Sequence, residues 1–464
     1  MIPRKFREVL TMSFVPHTEA DIRAMLDEIG IKSIDELFKS IPDAVKVKNP
    51  TELPPPASEQ QAFYDLFTLS EQNLPLTGEV SFLGGGPMRM YRPALIQAIF
   101  NRSEFITSYT PYQAEISQGL LQAIYEYQTM VSGLFGMDLA NASSYDGGTA
   151  AADALVVAKD HFRGKRNTVL VADTIHPEIR DVMKTYNVGL EMNWVDIPSR
   201  ENGTVNPDAF SANLNSDTAV VFLAYPTRHG VIDDLTEDGL PKLVRAAHDA
   251  GALAVAVVNP IACAVLKPPG DIGFDIAVAE GQPLGIPVSY GGPYLGIFSA
   301  KNHLIRKVPG RLSGKTVDVD GRTGYILTLQ AREQHIRRER ATSNICSNQS
   351  LCALTAAIYM AYYGKVGLPN LARKIIGITK YASDAISKLT KFELIHKGVP
   401  HFNELAIKCP VTARDVNDAL LSEGIQGGLP LEIWGEAPRN MLLGFSDENT
   451  IEQVDALVEN LAKF

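Results

Sequence analysis

Residues 218–260 read TAVVFLAYPTRHGVIDDLTEDGLPKLVRAAHDAGALAVAVVNP, and this stretch decides the fold. TAVVFLAYP (218–226) is a continuous apolar run ended by Pro226. LVRAAHDAG (243–251) is an amphipathic helix closed by Gly251, and ALAVAVV (252–258) is the next apolar run. A strand with one wet face alternates polar and apolar residues. Runs that are apolar throughout belong to strands covered on both faces. Such strands alternating with helices indicate a largely parallel sheet.

Working outward, TVLVADT (168–174) and LEMNWVDI (190–197) read as further strands, and VSFLGGG (80–86) precedes a helix over about 94–100. Residues 76–330 therefore form a large α/β domain. Residues 1–75 read as a helical arm and linker. In FVPHTEADIRAMLDEIG (14–30), Thr18 is the N-cap, with Asp21 three residues on. Ile22, Met25, Leu26 and Ile29 follow helical spacing, and Gly30 is the stop. SIDELFKSIP (33–42) reads as a second, short helix, and the Pro-rich VKNPTELPPPASEQ (47–60) as a linker. A long helix is expected from LQAREQHIRRER (329–340) to about 375. FELIHKG (392–398), ELAIKCP (404–410) and RNMLLGF (439–445) then read as strands. The last helix is capped at Thr450, with Gln453 in capping-box spacing. Residues 331–464 thus comprise a linking helix and a small C-terminal α+β domain. Large α/β domain, small α+β domain and N-terminal arm together suggest the fold of type I pyridoxal-phosphate (aspartate aminotransferase-like) enzymes, a frame that by itself serves many functions.

Composition narrows the classes. With 45% hydrophobic and 21% charged residues, the 464-residue chain reads as an ordinary soluble enzyme. A net charge of −10 argues against nucleic-acid or anionic-membrane partners. The longest apolar stretch, residues 250–266, is broken at Asn259-Pro260 and is short for a membrane span. MIPRKFREVL has no secretory-leader pattern. Cys263, Cys346, Cys352 and Cys409 form no C-x-x-C pair, so they are expected as small apolar groups in a reducing, cytoplasmic setting. No acidic or histidine cluster has metal-ligand spacing, so no metal is expected.

SYDGGTAAADAL (144–155) reads as a tight glycine turn entering a helix, whose N-terminal N–H groups and dipole favour an anion. DGGTA alone does not separate a phosphate site from a plain turn. The longer strings do more. TPYQAEISQG (110–119), the segment 126–154, AREQHIRRERATSNICSNQSLCAL (331–354) and RNMLLGFSDENT (439–450) closely resemble the P-protein of the glycine cleavage system. The resemblance extends over nearly the whole chain, from residue 14 onward.

Within that family the chain resembles the α subunit of the split form. The deciding region is EGQPLGIPVSYGGPYLG (280–296). Alignment on Pro287, Pro293 and Gly296 places Gln282 where the family's catalytic partner has its Schiff-base lysine. No lysine lies between Lys267 and Lys301. In type I enzymes an Asp at the end of a central strand usually holds the pyridine nitrogen; here AVAVVNP ends on Asn259. The resemblance therefore implies that pyridoxal 5'-phosphate is carried covalently by a lysine-bearing β subunit, probably as α2β2 in the family's usual form. The pair would decarboxylate glycine and pass the aminomethyl group to the lipoyl arm of the H-protein.

This chain would then complete the partner's site. Thr342, Ser343 and Asn344 are candidate donors to the partner's cofactor phosphate, or else helix-capping residues. Tyr109, Tyr112 and Gln113 are candidates for lining the glycine pocket, or else ordinary packing residues. FLGGGPMRMY (82–91) is a further glycine-rich loop expected near the site, while His176 and His229 read more readily as structural. Two rival readings stay open. One is an independent type I pyridoxal-phosphate enzyme, which needs a lysine. The other is a structural or regulatory pseudoenzyme subunit, which needs no residue near the partner's cofactor.

Overall fold

The computed structural model describes residues 17–46, 55–73, 80–106, 109–345 and 349–464. It divides into two compact units, residues 1–74 and 75–464. In the first, α1 (Glu19–Ile29) carries a complete capping box. The Thr18 hydroxyl accepts from the Asp21 N–H, the Asp21 carboxylate accepts from the Thr18 N–H, and Gly30 closes the helix at φ 79°. A 3-10 turn spans Ile34–Phe38, and α2 (Glu59–Ser70) begins where the Pro-rich stretch ends. Part of that stretch, residues 47–54, lies outside the described residues. α2 was not legible in the sequence, because Pro54, Pro55 and Pro56 carry a linker signal right up to its Ser58 cap.

The second unit is organised by a seven-stranded sheet. Its strands are β1 (Leu139–Ala140), β2 (Thr168–Ala172), β3 (Asn193–Ile197), β4 (Thr218–Tyr225), β5 (Leu253–Val258), β6 (Ile276–Glu280) and β7 (Gly296–Ala300). The spatial order is β1-β7-β6-β5-β4-β2-β3, parallel from β6 to β3 and antiparallel at β7 and β1. The apolar runs are buried on both faces. Val221 and Leu223 join a core with α3 (Gln118–Phe135). Val220 and Phe222 join the opposite core with α4 (Gly147–His161) and α5 (Pro177–Leu190). Burying each such side chain contributes about 1.5–3 kcal/mol, which is why the period-two alternation is absent. A helix, α6 (Leu240–Asp249), links β4 to β5.

Register lines up the strand ends. Tyr225 pairs with Val258, and Val258 with Ala279. Pro226, Asn259 and Glu280 therefore emerge along one edge. In open α/β sheets this carboxyl edge is where ligands bind.

After β7 comes an antiparallel hairpin, β8 (Leu312–Val317) and β9 (Thr323–Thr328), and the long helix expected from residue 329 does not follow it. Residues 330–340 are short turns of helix, broken by positive φ at Leu329 and Arg338. The long helix starts only at Ser350 and runs as α7 (Ser350–Ile386). Its interior contains Gly364, at φ 60° and ψ −170°, and Pro369, both of which break regular helix bonding. The run Arg337–Arg340 has no apolar face to bury, so tertiary packing supplies nothing to extend the helix backward. By length and composition α7 could cross a membrane, but half of its most apolar window is buried, as in a core helix.

The C-terminal part is a four-stranded antiparallel sheet, β10 (Glu393–Leu394), β11 (Glu404–Lys408), β12 (Leu429–Pro430) and β13 (Asn440–Gly444), in the order β10-β11-β13-β12. It packs with α8 (Ala413–Ser422), α9 (Ile451–Leu461) and the end of α7 into its own core. Thr450 and Gln453 form the expected capping box. Cys263 and Cys409 are buried as small apolar groups, Cys352 is half-buried, and Cys346 lies outside the described residues.

Candidate functional site

A cavity of about 460 Å³ opens at the carboxyl edge of the sheet. Two helix starts, the strand ends and a glycine-rich loop build it. The N-terminus of α4 supplies Asp146, Gly147 and Gly148; the residue before α5 and its first turn supply His176 and Glu178. The strand ends supply Asn259 and Glu280, and Gly85, Gly86 and Pro87 close it with Glu404 from the small domain.

The start of α4 is shaped by close packing. Asp146 caps it, accepting from Thr149 N–H at 2.7 Å. A Cβ on Gly147 would stand 2.9 Å from the Glu280 backbone nitrogen, so helix and strand meet only through glycine. At this point the Gly147 N–H donates to the Glu280 carboxylate, at 2.9 Å. The same carboxylate accepts from Gln282 N–H at 2.9 Å and Leu295 N–H at 3.3 Å. Burial pushes its pKa up to about 7; the three N–H bonds pull it down and the nearby Asp146 charge adds to the rise.

Gln282 is wholly buried and does not face the cavity. Its oxygen accepts from Met88 N–H at 3.1 Å, and its amide nitrogen donates to the carbonyls of Met88 at 3.0 Å and Ile286 at 2.8 Å. This side chain staples the 82–91 loop to the 282–286 turn. Asn259 does line the cavity, but its oxygen accepts from Ile261 and Ala262 N–H, at 2.9 and 3.3 Å, and so caps a local turn.

Among the described residues, no lysine lines this cavity. Lys267 points to Glu237, and Lys301 donates to the Gly136 carbonyl. A pyridoxal phosphate in this chain would meet no amine to hold it, an amide already spent in place of the strand-end carboxylate, and a carboxylate on the helix N-terminus. The residues present do not fit the cofactor.

The remaining wall joins the two parts of the unit. His176 Nδ1 lies 2.5 Å from Glu178, and Trp434 Nε1 donates to the other oxygen of Glu178 at 2.9 Å. Burial pushes Glu178 up, but these bonds outweigh it and hold the carboxyl down to about 2. His229 is not in the cavity. It bonds His396 at 2.8 Å and Glu436 at 2.9 Å and serves as a structural joint to the small domain. Glu404, raised by burial, accepts from Gly85 N–H at 2.6 Å.

The other candidates lie on a separate face. Tyr109 is 80% and Tyr112 53% exposed, and Gln113 is exposed. The Tyr112 hydroxyl accepts from Arg311 at 3.3 Å, and its ring meets His335 edge-on with centroids 6.0 Å apart. Arg311 in turn approaches Glu333 at 3.8 Å. These contacts bring the 109–113 loop beside the 331–340 turns. Further along, Ser343 donates to Asp153 at 3.0 Å and Thr342 to Asp160 at 3.3 Å, while Asn344 is exposed. Burial pushes Asp153 up to about 7, with Ser343 opposing and Asp146 adding.

Sequence reading missed Glu280, Glu178, Glu404 and Trp434. The available signal for Glu280 was an acid at the end of an apolar strand, AVAEG (277–281), facing the glycine turn.

The fold and this edge-of-sheet cavity place the chain among type I pyridoxal-phosphate enzyme folds. A NifS-like protein (TM-score 0.61, 14% identity, 83% of this chain and 98% of that one) and a sphingosine-1-phosphate lyase from Burkholderia pseudomallei (TM-score 0.65, 14% identity, 91% and 94%) share that fold. The particular assignment is sharper: the chain belongs to the glycine cleavage system P-protein family, which matches residues 12–461. A crystal structure of the glycine decarboxylase P-protein in inhibitor-bound form matches with TM-score 0.88 and 38% identity, over 97% of this chain and 100% of that one. "Probable glycine dehydrogenase (decarboxylating) subunit 1" of Lysinibacillus sphaericus is 44% identical over 97% of this chain and 98% of its own length. The protein of that name from Thermomicrobium roseum is 44% identical over 97% and 99%.

Proposed function

We propose that this chain is the lysine-free subunit of a two-subunit glycine decarboxylase, working beside a β subunit that carries pyridoxal 5'-phosphate on a lysine. The observation that carries this reading is Gln282: the site's frame is intact, yet the amine position is a buried amide with both ends bonded inside the chain. The pair, assembled as α2β2 in the cytoplasm, decarboxylates glycine and hands the aminomethyl group to the lipoyl arm of the H-protein. Neither nucleic acid nor membrane takes part.

This chain's contribution is binding and positioning. Tyr109, Tyr112 and Gln113 present a hydroxyl- and amide-bearing loop that suits a small carboxylate ligand. The cation Arg311 behind the Tyr112 ring, 5.4 Å from its centroid, orients that ring and favours an anion nearby. Thr342, Ser343 and Asn344 would offer neutral donors to the partner's cofactor phosphate. Ser343 and Thr342 reach it by exchanging their bonds to Asp153 and Asp160. The outward exposure of Tyr109, Tyr112 and Asn344 supports a site completed between subunits.

The test uses this chain alone, the β subunit alone and their mixture, with glycine–CO₂ exchange and the visible band of lysine-bound cofactor as readouts. Exchange only in the mixture is expected. A borohydride-fixed cofactor on the lone chain would mean an independent enzyme. Equal exchange by the β subunit alone would mean a purely structural partner.

A further inference from the structure

We infer that this chain's own cofactor seat is closed by one of its side chains: the Glu280 carboxylate occupies the anion place at the N-terminus of α4 and bars phosphate from it. The inference concerns the lone chain and stands independently of the pairing proposed above.

The start of α4 has the ingredients of an anion site, a glycine turn, outward N–H groups and the positive end of a 15-residue helix. Two of the leading N–H groups are already taken. Thr149 N–H goes to the Asp146 cap, and Gly147 N–H goes to Glu280. Glu280 does not reach in casually. Its second oxygen is held by the Gln282 and Leu295 N–H groups, so the carboxylate is fixed between the helix and the two strands it joins. The lack of a Cβ on Gly147 allows this approach, since the Glu280 Cα would be 3.0 Å from it.

An incoming phosphate would have to displace a carboxylate that already makes three N–H bonds. It would also sit among four acids that line the same cavity, Asp146, Glu178, Glu280 and Glu404. Facing them are His176, tied to Glu178, and Arg228, whose guanidinium lies 3.5 Å from Glu436. Like charges at this range disfavour a dianion, and no lysine repays the loss. The missing lysine thus explains why a cofactor is not held covalently, while Glu280 explains why it is not held at all.

The experiment titrates the full-length chain with inorganic phosphate, pyridoxal 5'-phosphate and pyridoxal at about pH 8, above the raised Glu280 pKa of about 7, and at constant ionic strength. Equilibrium dialysis and thermal unfolding are read for the wild type, E280A and E280Q. The wild type is expected to take up none of the three. E280A should gain saturable uptake of inorganic phosphate and pyridoxal 5'-phosphate but not of pyridoxal, at least about tenfold above wild type. E280Q keeps the shape of the side chain while removing its charge, and should show a smaller gain of the same selectivity. Saturable phosphate uptake by the wild type overturns the inference, as does a folded E280A that takes up no phosphate. Should E280A fail to fold, E280Q decides: no gain over wild type overturns it.

Discussion

The cavity at the sheet edge and the face around Tyr112 both present polar side chains, and they differ in how those groups are bonded and buried. In the cavity, Gln282, Asn259 and Glu280 have their key polar atoms bonded within the chain. On the face, Tyr109 is 80% exposed and Tyr112 53%, with only one side of the Tyr112 ring backed by Arg311. Groups that are satisfied internally stabilise the fold and have nothing left to offer a ligand. Groups on the outer face are more exposed, although Tyr112 is itself bonded to Arg311. The contrast is between a cavity whose polar groups are bonded across the chain and a rim whose tyrosines face outward.

The largest effect should come from breaking the staple. Gln282→Leu leaves the Met88 N–H, the Met88 carbonyl and the Ile286 carbonyl buried without partners. A loss of about 3–5 kcal/mol is expected by urea unfolding of the lone chain. A loss under about 1 kcal/mol would show that the cavity is not built as described.

A rim variant sharpens the contrast from the other side. Ser343→Ala should cost the lone chain about 1–2 kcal/mol, since two hydroxyl bonds are removed, one donated to Asp153 and one accepted from the Ile345 N–H. In the mixture with the β subunit it should weaken cofactor retention by roughly 10-fold or more, the worth of a bond to an ionised phosphate. Equal small effects on both would take Ser343 out of the site.

Thr450→Ala is the calibration. It removes a cap remote from both regions and should cost about 1 kcal/mol, with no change in glycine exchange once the complex is folded.

The last effect is one of slope. The folded pKa of Glu280 is raised to about 7 from an ordinary value of 4.5. A raised carboxyl pKa means that the folded state binds the proton more tightly than the unfolded one. Its contribution to stability is therefore full below about pH 4.5 and is lost as pH rises through about 7. E280Q should show a shallower fall of unfolding free energy between these limits than wild type. Parallel pH profiles would mean that Glu280 is ionised throughout.

Much of the architecture was readable because it depends on neighbours. The caps at Thr18 and Thr450, the stop at Gly30, and the strands 168–172, 193–197, 218–225 and 253–258 follow from residues a few positions apart. The misread stretch, 329–345, fails for a related reason. Its residues suit a helix locally, but Leu329 and Arg338 take positive φ and no apolar stripe binds the segment to a core. The hairpin 312–328 was not legible because LSGKTV and TGYILT mix polar and apolar residues without a clear period, and the strands 276–280 and 296–300 are only five residues each.

The sequence by itself determined that no amine lies between Lys267 and Lys301, since absence of a residue type needs no fold to establish. It also determined the alternation of apolar strands and helices, because burial on two faces is written into the side chains themselves. Only the tertiary structure decided what Glu280 and Gln282 bond. Glu280 reaches Gly147 across 133 positions, and Gln282 reaches Met88 across 194. Bonds between such distant residues depend on the register of β6 and on the path of two loops, and no local spacing encodes either.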